Sequence, residues 1–363
     1  MAVYRSFRDL DWPLILISVA ICALGILQIF SATLGTASQS AWWKQIVWLA
    51  IGMAVMWVMT RIDYHTILGQ LPLLYGVSIF FLLLTPLVGR MVWGSKRWIP
   101  VVGGFRFQPS EFVKLVIVLL VARYLAEVKT DRLELRDLLR LGALVGFPCL
   151  LVFLQPDLGT ALTYVSILTG CVLIGGLQWR HTVAVLLLVV IAMPVGYHFL
   201  KDYQKARLQT FLDPAKDPRG SGYQVIQSKI AVGAGGTWGK GVTRGSQTQL
   251  RFLPITHTDF IVSAFAEEHG FVGILVLLGL YFLLLMQIVQ NAQSAPDRAG
   301  MYVCMGVCSL LLFHVLVNAG MAVGRMPVTG IPLPLMSYGG SSMISVFMLL
   351  GLVNNVRLRR FVS

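Results

Sequence analysis

Apolar runs of membrane-spanning length recur along this 363-residue chain, and no other feature limits its fold as strongly. A bilayer core takes roughly 20 apolar residues per helix, and within lipid each backbone polar group must be satisfied inside its own segment. Ten runs approach that requirement: Pro13–Thr33, Ile46–Thr60, Leu71–Val88, Pro109–Ala126, Leu141–Leu154, Thr160–Leu177, Thr182–Leu200, Phe260–Val289, Ala299–Val323 and Met336–Val353. Only 12% of residues are charged, about half the fraction of a soluble domain. The chain is predicted to be an all-α polytopic integral membrane protein of about ten transmembrane helices, forming a single domain over residues 1–363. Its first run lacks a small-residue cleavage site and is taken as a span, not a removable signal.

Cys22, Cys149, Cys171, Cys304 and Cys308 all fall inside apolar runs, where they are expected to pack as small hydrophobes. The formal net charge is +13. In a soluble protein that balance would suggest nucleic acid, but here the bases flank membrane spans, so membrane lipids are the expected partners and nucleic acid is not.

Arginine and lysine in short loops set the expected orientation. Arg5, Arg8, Arg61, Arg123, Lys129, Arg132, Arg136, Arg140, Arg180, Arg298, Arg357, Arg359 and Arg360 share one side. Lys44, Arg90, Lys96, Arg97, Arg106 and Arg325 share the other. Both termini are therefore expected in the cytoplasm. The segment 201–259 follows as a large extracytoplasmic loop between the seventh and eighth spans. It carries nine further bases and opposes the simple charge rule. Its positive field would concentrate an anionic substrate such as a phosphorylated lipid.

Four polar clusters could carry chemistry, since ionisable groups at membrane depth are functional candidates by default. Gln108, Glu111 and Lys114 recur along roughly one helix face after Pro109, and Glu111 can pair with Lys114. They form either a structural ion pair or the floor of a polar cavity. Asp157, in the short turn Gln155-Pro156-Asp157, either caps the following helix or faces the same cavity. Within the loop, Tyr223–Ala231 has helical apolar spacing. Six glycines between Gly233 and Gly245 would allow either simple flexibility or close approach to a ligand, including a backbone nest for pyrophosphate. The last cluster is His257-Thr258-Asp259, followed by Glu267 and Glu268. Asp259 is either the N-cap of the eighth span or a partly desolvated base able to accept a hydroxyl proton. The two glutamates could satisfy partners inside the bundle.

These motifs resemble the SEDS family (shape, elongation, division and sporulation) of bacterial cell-wall synthesis. The likeness is carried by Lys96-Arg97-Trp98, Phe107-Gln108-Pro109-Ser110-Glu111, Gln155 through Thr160, Asp217-Pro218 through Gln224, Gln227-Ser228-Lys229, His257-Thr258-Asp259-Phe260, Ala266-Glu267-Glu268 and Gly330 through Ser341. Gly245 through Leu250 is closer to the elongation branch than to the division branch. Two positions depart from the family pattern: Ile255 stands where a glutamate is usual, and Val262-Ser263 replace Phe-Ala.

The resemblance implies a glycosyltransferase in the bacterial inner membrane that polymerises lipid II, with its active site on the extracytoplasmic face. Asp259 would be the catalytic residue, and Glu111, Lys114 and Asp157 would line the central cavity. Partners implied are lipid II, the undecaprenyl-pyrophosphate-linked glycan, a class B penicillin-binding protein and the elongation machinery. A pyrophosphate leaving group needs cations but no protonating acid. Arg97, Lys229, Lys240 and Arg251 are candidates for that charge, with His257 and Thr258 near the substrate. The sequence requires no cofactor and assigns no metal ligand; a divalent cation, Mg or Mn, is the alternative source of charge. A lipid II flippase is the alternative function, and a non-catalytic scaffold would leave Asp259 without a role.

Overall fold

The computed structural model describes residues 9–92, 95–100, 106–128, 133–177, 183, 205, 209–214 and 221–360. The segment predicted as the seventh span, Thr182–Leu200, and the loop through residue 220 lie almost wholly outside the described residues. The principal helices are α1 (Trp12–Thr33), α2 (Ala41–Arg61), α3 (Tyr64–Gly69), α4 (Leu71–Val88), α5 (Pro109–Glu127), α6 (Leu135–Leu154) and α7 (Leu158–Ile174). They continue as α8 (Ser221–Gly235), α9 (Ser246–Gln249), α10 (Ile261–Gln293), α11 (Arg298–Ala322) and α12 (Gly340–Arg359).

Aspartates start several of these helices by accepting an otherwise unpaired N–H. Asp11 accepts from Leu14 N at 3.3 Å, Asp63 from His65 N at 3.0 Å and Asp297 from Gly300 N at 2.6 Å. Among the described residues seven helices, α1, α2, α4, α6, α10, α11 and α12, are long and apolar enough to cross a membrane. The 17-residue α7 is shorter, while α5 includes Glu111, Lys114, Arg123 and Glu127.

The all-α expectation needs correction. Between α4 and α5 the chain forms a small antiparallel sheet of β1 (Arg90–Val92), β2 (Ser95–Pro100) and β3 (Arg106–Phe107), in the order β1-β2-β3. Ile99 pairs with Phe107 and Pro100 with Arg106. Short polar strands between spans lack a hydrophobic period strong enough to announce themselves.

The central layer is formed by α5, α11 and α12, most of whose residues are buried. Side chains such as Ile117, Val121, Val303, Val307, Phe347 and Leu350 interlock there without solvent exposure. The peripheral helices keep apolar outer faces instead, with Leu73, Phe80, Leu83, Leu139 and Phe282 all exposed. That inverted distribution suits a hydrocarbon surround, because lipid imposes no penalty on exposed leucine.

The bundle has two polar ends. One holds Asp11, a fully buried carboxylate paired with Arg357 at 3.1 Å and bonded by Gln287 and Asn291. Nearby, His65 bridges Asp63 at 3.1 Å and Asp297 at 2.6 Å. The opposite end is covered by α8, α9 and the segments between them and α10.

There two glycines of the glycine-rich stretch admit the backbone of α10. A Cβ on Gly235 would lie 2.0 Å from Ala266 O, and one on Gly239 2.2 Å from Glu268 O. Gly270 breaks α10 (φ 67°, ψ −166°), and a Cβ there would lie 2.3 Å from Gly239 N. No L-residue tolerates that conformation readily. The glycines let the segment seat against the break in α10, so the partner approached at these three positions is the chain's own backbone.

Candidate active site

Asp259 sits in the turn before α10, half-buried, at the end of the bundle covered by α8 and α9. It is not the helix cap: α10 begins at Ile261, and Phe260 occupies the N-cap position with no side-chain cap bond. The backbone on either side of the turn is unusual. Ile255 has φ 53°, an uncommon conformation for a β-branched residue, and Gly330 faces the acid with φ 73°. A Cβ on Gly330 would stand 3.7 Å from the Asp259 carboxylate oxygen Oδ2.

Three consecutive carbonyls hold this turn. Tyr338 N donates to His257 O at 2.9 Å, Ser337 Oγ to Thr258 O at 2.7 Å, and Asn318 Nδ2 to Asp259 O at 3.1 Å. The same Asn318 nitrogen reaches Ile331 O at 2.7 Å. Turn and facing segment (residues 329–338) are thus tied together by main-chain acceptors. Burial pushes the His257 imidazole below its ordinary value, favouring the neutral ring.

The second polar cluster lies on the other side of that facing segment. Gly159, the second residue of α7, packs against it so closely that a Cβ would meet Ile331 Cγ1 at 2.7 Å and Thr329 O at 3.0 Å. Two residues earlier, Asp157 caps α7 through Thr160 N at 3.2 Å. Asp157 also accepts from Gln108 Nε2 at 3.0 Å and pairs with Arg97 on β2 at 3.2 Å. The cap is thus observed, and the same carboxylate also joins Gln108 and Arg97.

Below it, Lys114 Nζ lies 2.7 Å from Glu111 Oε1, with both side chains almost fully buried. Glu111 Oε2 has no hydrogen-bond partner among the described residues. His314 on α11 bridges Thr163 (3.2 Å) and Pro332 O (3.1 Å), joining α7 to the same facing segment. Such ionised groups are expensive at membrane depth, and pairing lowers that cost.

The remaining sequence candidates separate. Lys240 is committed inside the protein, with Nζ 3.0 Å from Glu267 Oε1 and 2.7 Å from Ser246 Oγ. Glu267 is fully buried and also accepts from Gln247 N (2.8 Å) and Thr248 N (3.0 Å). Its neighbour Glu268 accepts from Ser31 Oγ at 2.5 Å and Gln28 Nε2 at 3.3 Å, fastening α10 to α1. Arg251, exposed and with φ 62°, bonds Gly35 O through its guanidinium.

Lys229 is exposed on α8, and its stem crosses Gly324, where a Cβ would meet Lys229 Cε at 2.1 Å. The buried face of α8 docks through Ser228, whose Oγ lies 2.7 Å from Ser263 Oγ and from Ala322 O. Sequence reasoning missed Asn318, His314, Ser337 and Gly330 as parts of the site. The signal was present for Asn318 and His314, polar residues inside the apolar run of the ninth span.

Among the described residues no three His, Cys, Asp or Glu side chains converge as a metal site. The family model of FtsW, RodA and SpoVE, described as cell cycle protein, matches residues 12–360. The peptidoglycan glycosyltransferase MrdB of Escherichia coli (strain K12) is 39% identical over 98% of this chain and 96% of its own. The peptidoglycan glycosyltransferase RodA of Treponema pallidum is 33% identical over 98% of this chain and 99% of its own.

Among solved structures, one chain of a peptidoglycan synthase complex that coordinates polymerization and crosslinking superposes with a TM-score of 0.84. It is 36% identical and covers 98% of this chain and 99% of that one. The rod shape determining protein RodA of Thermus thermophilus superposes with a TM-score of 0.73 at 31% identity, covering 98% and 99%. This chain belongs to the FtsW, RodA and SpoVE family of cell cycle proteins, and it is an integral-membrane glycosyltransferase.

Proposed function

We propose that the chain polymerises lipid II into glycan strands, with Asp259 as the base. The acceptor 4-hydroxyl attacks the anomeric carbon of the growing strand, and its proton passes to the Asp259 carboxylate. The new C–O bond forms with inversion as the bond to undecaprenyl pyrophosphate breaks. Ordinary glycosidases pair the base with a carboxylic acid that protonates the leaving oxygen. Pyrophosphate leaves as a stable anion, so a single carboxylate and nearby cations suffice.

One observation carries this reading: Asp259 is held by its backbone against a segment that also packs on Gly159, two residues after Asp157 of the Arg97–Asp157–Gln108 cluster. Lys229 and Arg97 are the cations we assign to the pyrophosphate, with Arg251 at the rim. Lys240 serves the leaving group only by steadying the loop through Glu267. Glu111, Lys114 and Asp157 line the substrate cavity, and His257 and Thr258 shape its wall. The steps are written with lysine and arginine charge alone. A divalent cation carried in by the pyrophosphate is the alternative, tested by assay with and without Mg, Mn and chelator.

The wider setting is also proposed. The chain is one domain of ten spans in the bacterial plasma membrane, the seventh being Thr182–Leu200. Both termini are cytoplasmic, the 201–259 loop lies outside, and a class B penicillin-binding protein of the elongation machinery crosslinks the product. The test is purified protein with lipid II, assayed for glycan strands with and without that partner. Asp259→Asn is expected to lower turnover by about 10²–10⁴-fold with the fold intact. Wild-type polymer yield from Asp259→Asn would reject the base, and transbilayer movement of lipid II without polymer would favour the flippase.

A further inference from the structure

We infer that Asn318 is a positioning residue for Asp259, a role that rests on Asp259 being the base. Asn318 is completely buried on α11. Its single amide nitrogen spans two main-chain acceptors from different segments, Asp259 O at 3.1 Å and Ile331 O at 2.7 Å. Two carbonyl oxygens that converge this way repel each other unless a donor stands between them. A primary amide is the smallest neutral side chain that offers two N–H bonds from one atom.

The orientation of this amide follows from its neighbours. Turning it over would set Oδ1 against both carbonyl oxygens, and Oδ1 makes no hydrogen bond among the described residues that could compensate. The bond therefore fixes the amide and the two peptides together.

What it fixes is the distance between the acid and the facing segment. Ile331 follows Gly330, the residue whose missing side chain leaves room beside Asp259 Oδ2. Tyr338 N and Ser337 Oγ bind the two preceding carbonyls, yet neither reaches Asp259 itself or the Ile331 carbonyl. Asn318 alone among these three donors couples both. Its own atoms are directed at backbone, so it acts on the reaction through Asp259 and does not touch substrate.

A shift of the carboxylate by about 1 Å is enough to cost about 10²-fold in rate while leaving remote substrate contacts in place. Asn318→Asp, which turns the donor into an acceptor, and Asn318→Ala are therefore expected to lower kcat about 10²-fold with KM unchanged. Asn318→Ser keeps one donor and is expected to fall between them and the wild type.

The experiment measures glycan-strand formation from lipid II by the full-length protein, as kcat and KM across pH, beside Asp259→Asn. Thermal melting and lipid II binding give the folded fraction of each variant. A displaced base moves the acid limb of the kcat profile, whereas simple loss of folded protein scales the rate alike at every pH. Wild-type kcat in Asn318→Asp, or a pH-independent loss matching the folded fraction, overturns the positioning role. If Asp259→Asn stays active, the base assignment falls and this inference with it. If Asp259→Asn is dead while Asn318→Asp is normal, only this inference falls. Should Asn318→Ala not fold, Asn318→Ser decides by the same two readouts.

Discussion

Glu267→Gln should release the segment that leads to Asp259, although Glu267 itself is outside the proposed chemistry. The carboxylate is fully buried and its two oxygens serve different donors. Oε1 accepts from Lys240 Nζ at 3.0 Å and Gln247 N at 2.8 Å, while Oε2 accepts from Thr248 N at 3.0 Å and Thr248 Oγ1 at 2.9 Å. A glutamine must present N–H₂ to one of these sets. With the amide nitrogen toward Thr248, one buried backbone N–H loses its acceptor, costing about 1–3 kcal/mol. Lys240 also loses its ionic partner, and charged hydrogen bonds contribute about 1.5–3 kcal/mol.

Together these give about 2.5–6 kcal/mol, which brackets the roughly 3–5 kcal/mol for breaking one side of a buried pair. At 1.4 kcal/mol per factor of ten, local opening of 245–249 should become about 10²–10⁴-fold more frequent. Amide hydrogen exchange at Gln247 and Thr248 reads this directly, with Thr160 at the start of α7 as an internal control. Polymerisation should fall as well, because the segment continues into the Asp259 turn. Unchanged exchange at Gln247 and Thr248 would refute the assignment of Glu267 as the anchor.

Two further outcomes follow from charge. Lys114→Met strands the buried Glu111 carboxylate and should cost about 3–5 kcal/mol; adding Glu111→Gln should restore much of it, so additive losses in thermal melting would contradict the pairing. At the other end of the bundle, burial works to raise the Asp297 carboxyl, but its bonds to Gly300 N and His65 outweigh that and hold it below the ordinary 3.8. A depressed folded value means the contribution to stability is present above 3.8 and drains away as pH falls through the folded value. Melting followed below pH 4 should therefore show a loss that Asp297→Asn lacks, and identical profiles would exclude it.

Much of the scaffold was legible from hydrophobic run length alone. The predicted third span, Leu71–Val88, coincides with α4, and the predicted fourth ends one residue short of α5. Lipid solvation makes this possible, since a segment that must satisfy its own backbone in hydrocarbon has few alternatives to a helix. The Glu111–Lys114 pair was legible for a similar reason: both belong to one helix, and helical spacing brings them together. Asp259 stood out as an acid at a polar–apolar boundary, though neither its surroundings nor its exclusion from the cap position could be read there.

The parts that escaped the sequence depend on residues far apart in the chain. Arg97 reaches Asp157 because a small sheet folds back over the end of the bundle, and no periodicity marks such short strands. Lys240, counted among the cations for pyrophosphate, is claimed by Glu267. Charge counting assigns a sign to a loop but cannot know which charges are already paired. The glycines between Gly233 and Gly245 suggested either flexibility or ligand contact, yet Gly235 and Gly239 admit the backbone of α10, which breaks at Gly270.

By itself, the sequence determined a helical membrane protein with an acid at the end of a basic loop, because hydrophobicity and local spacing are properties of contiguous residues. Tertiary structure alone decided what holds that acid. Asn318 and Ile331 meet Asp259 only after α11, the 329–338 segment and the start of α10 pack together. A hydrogen bond acts over about 3 Å in space, whatever the separation along the chain.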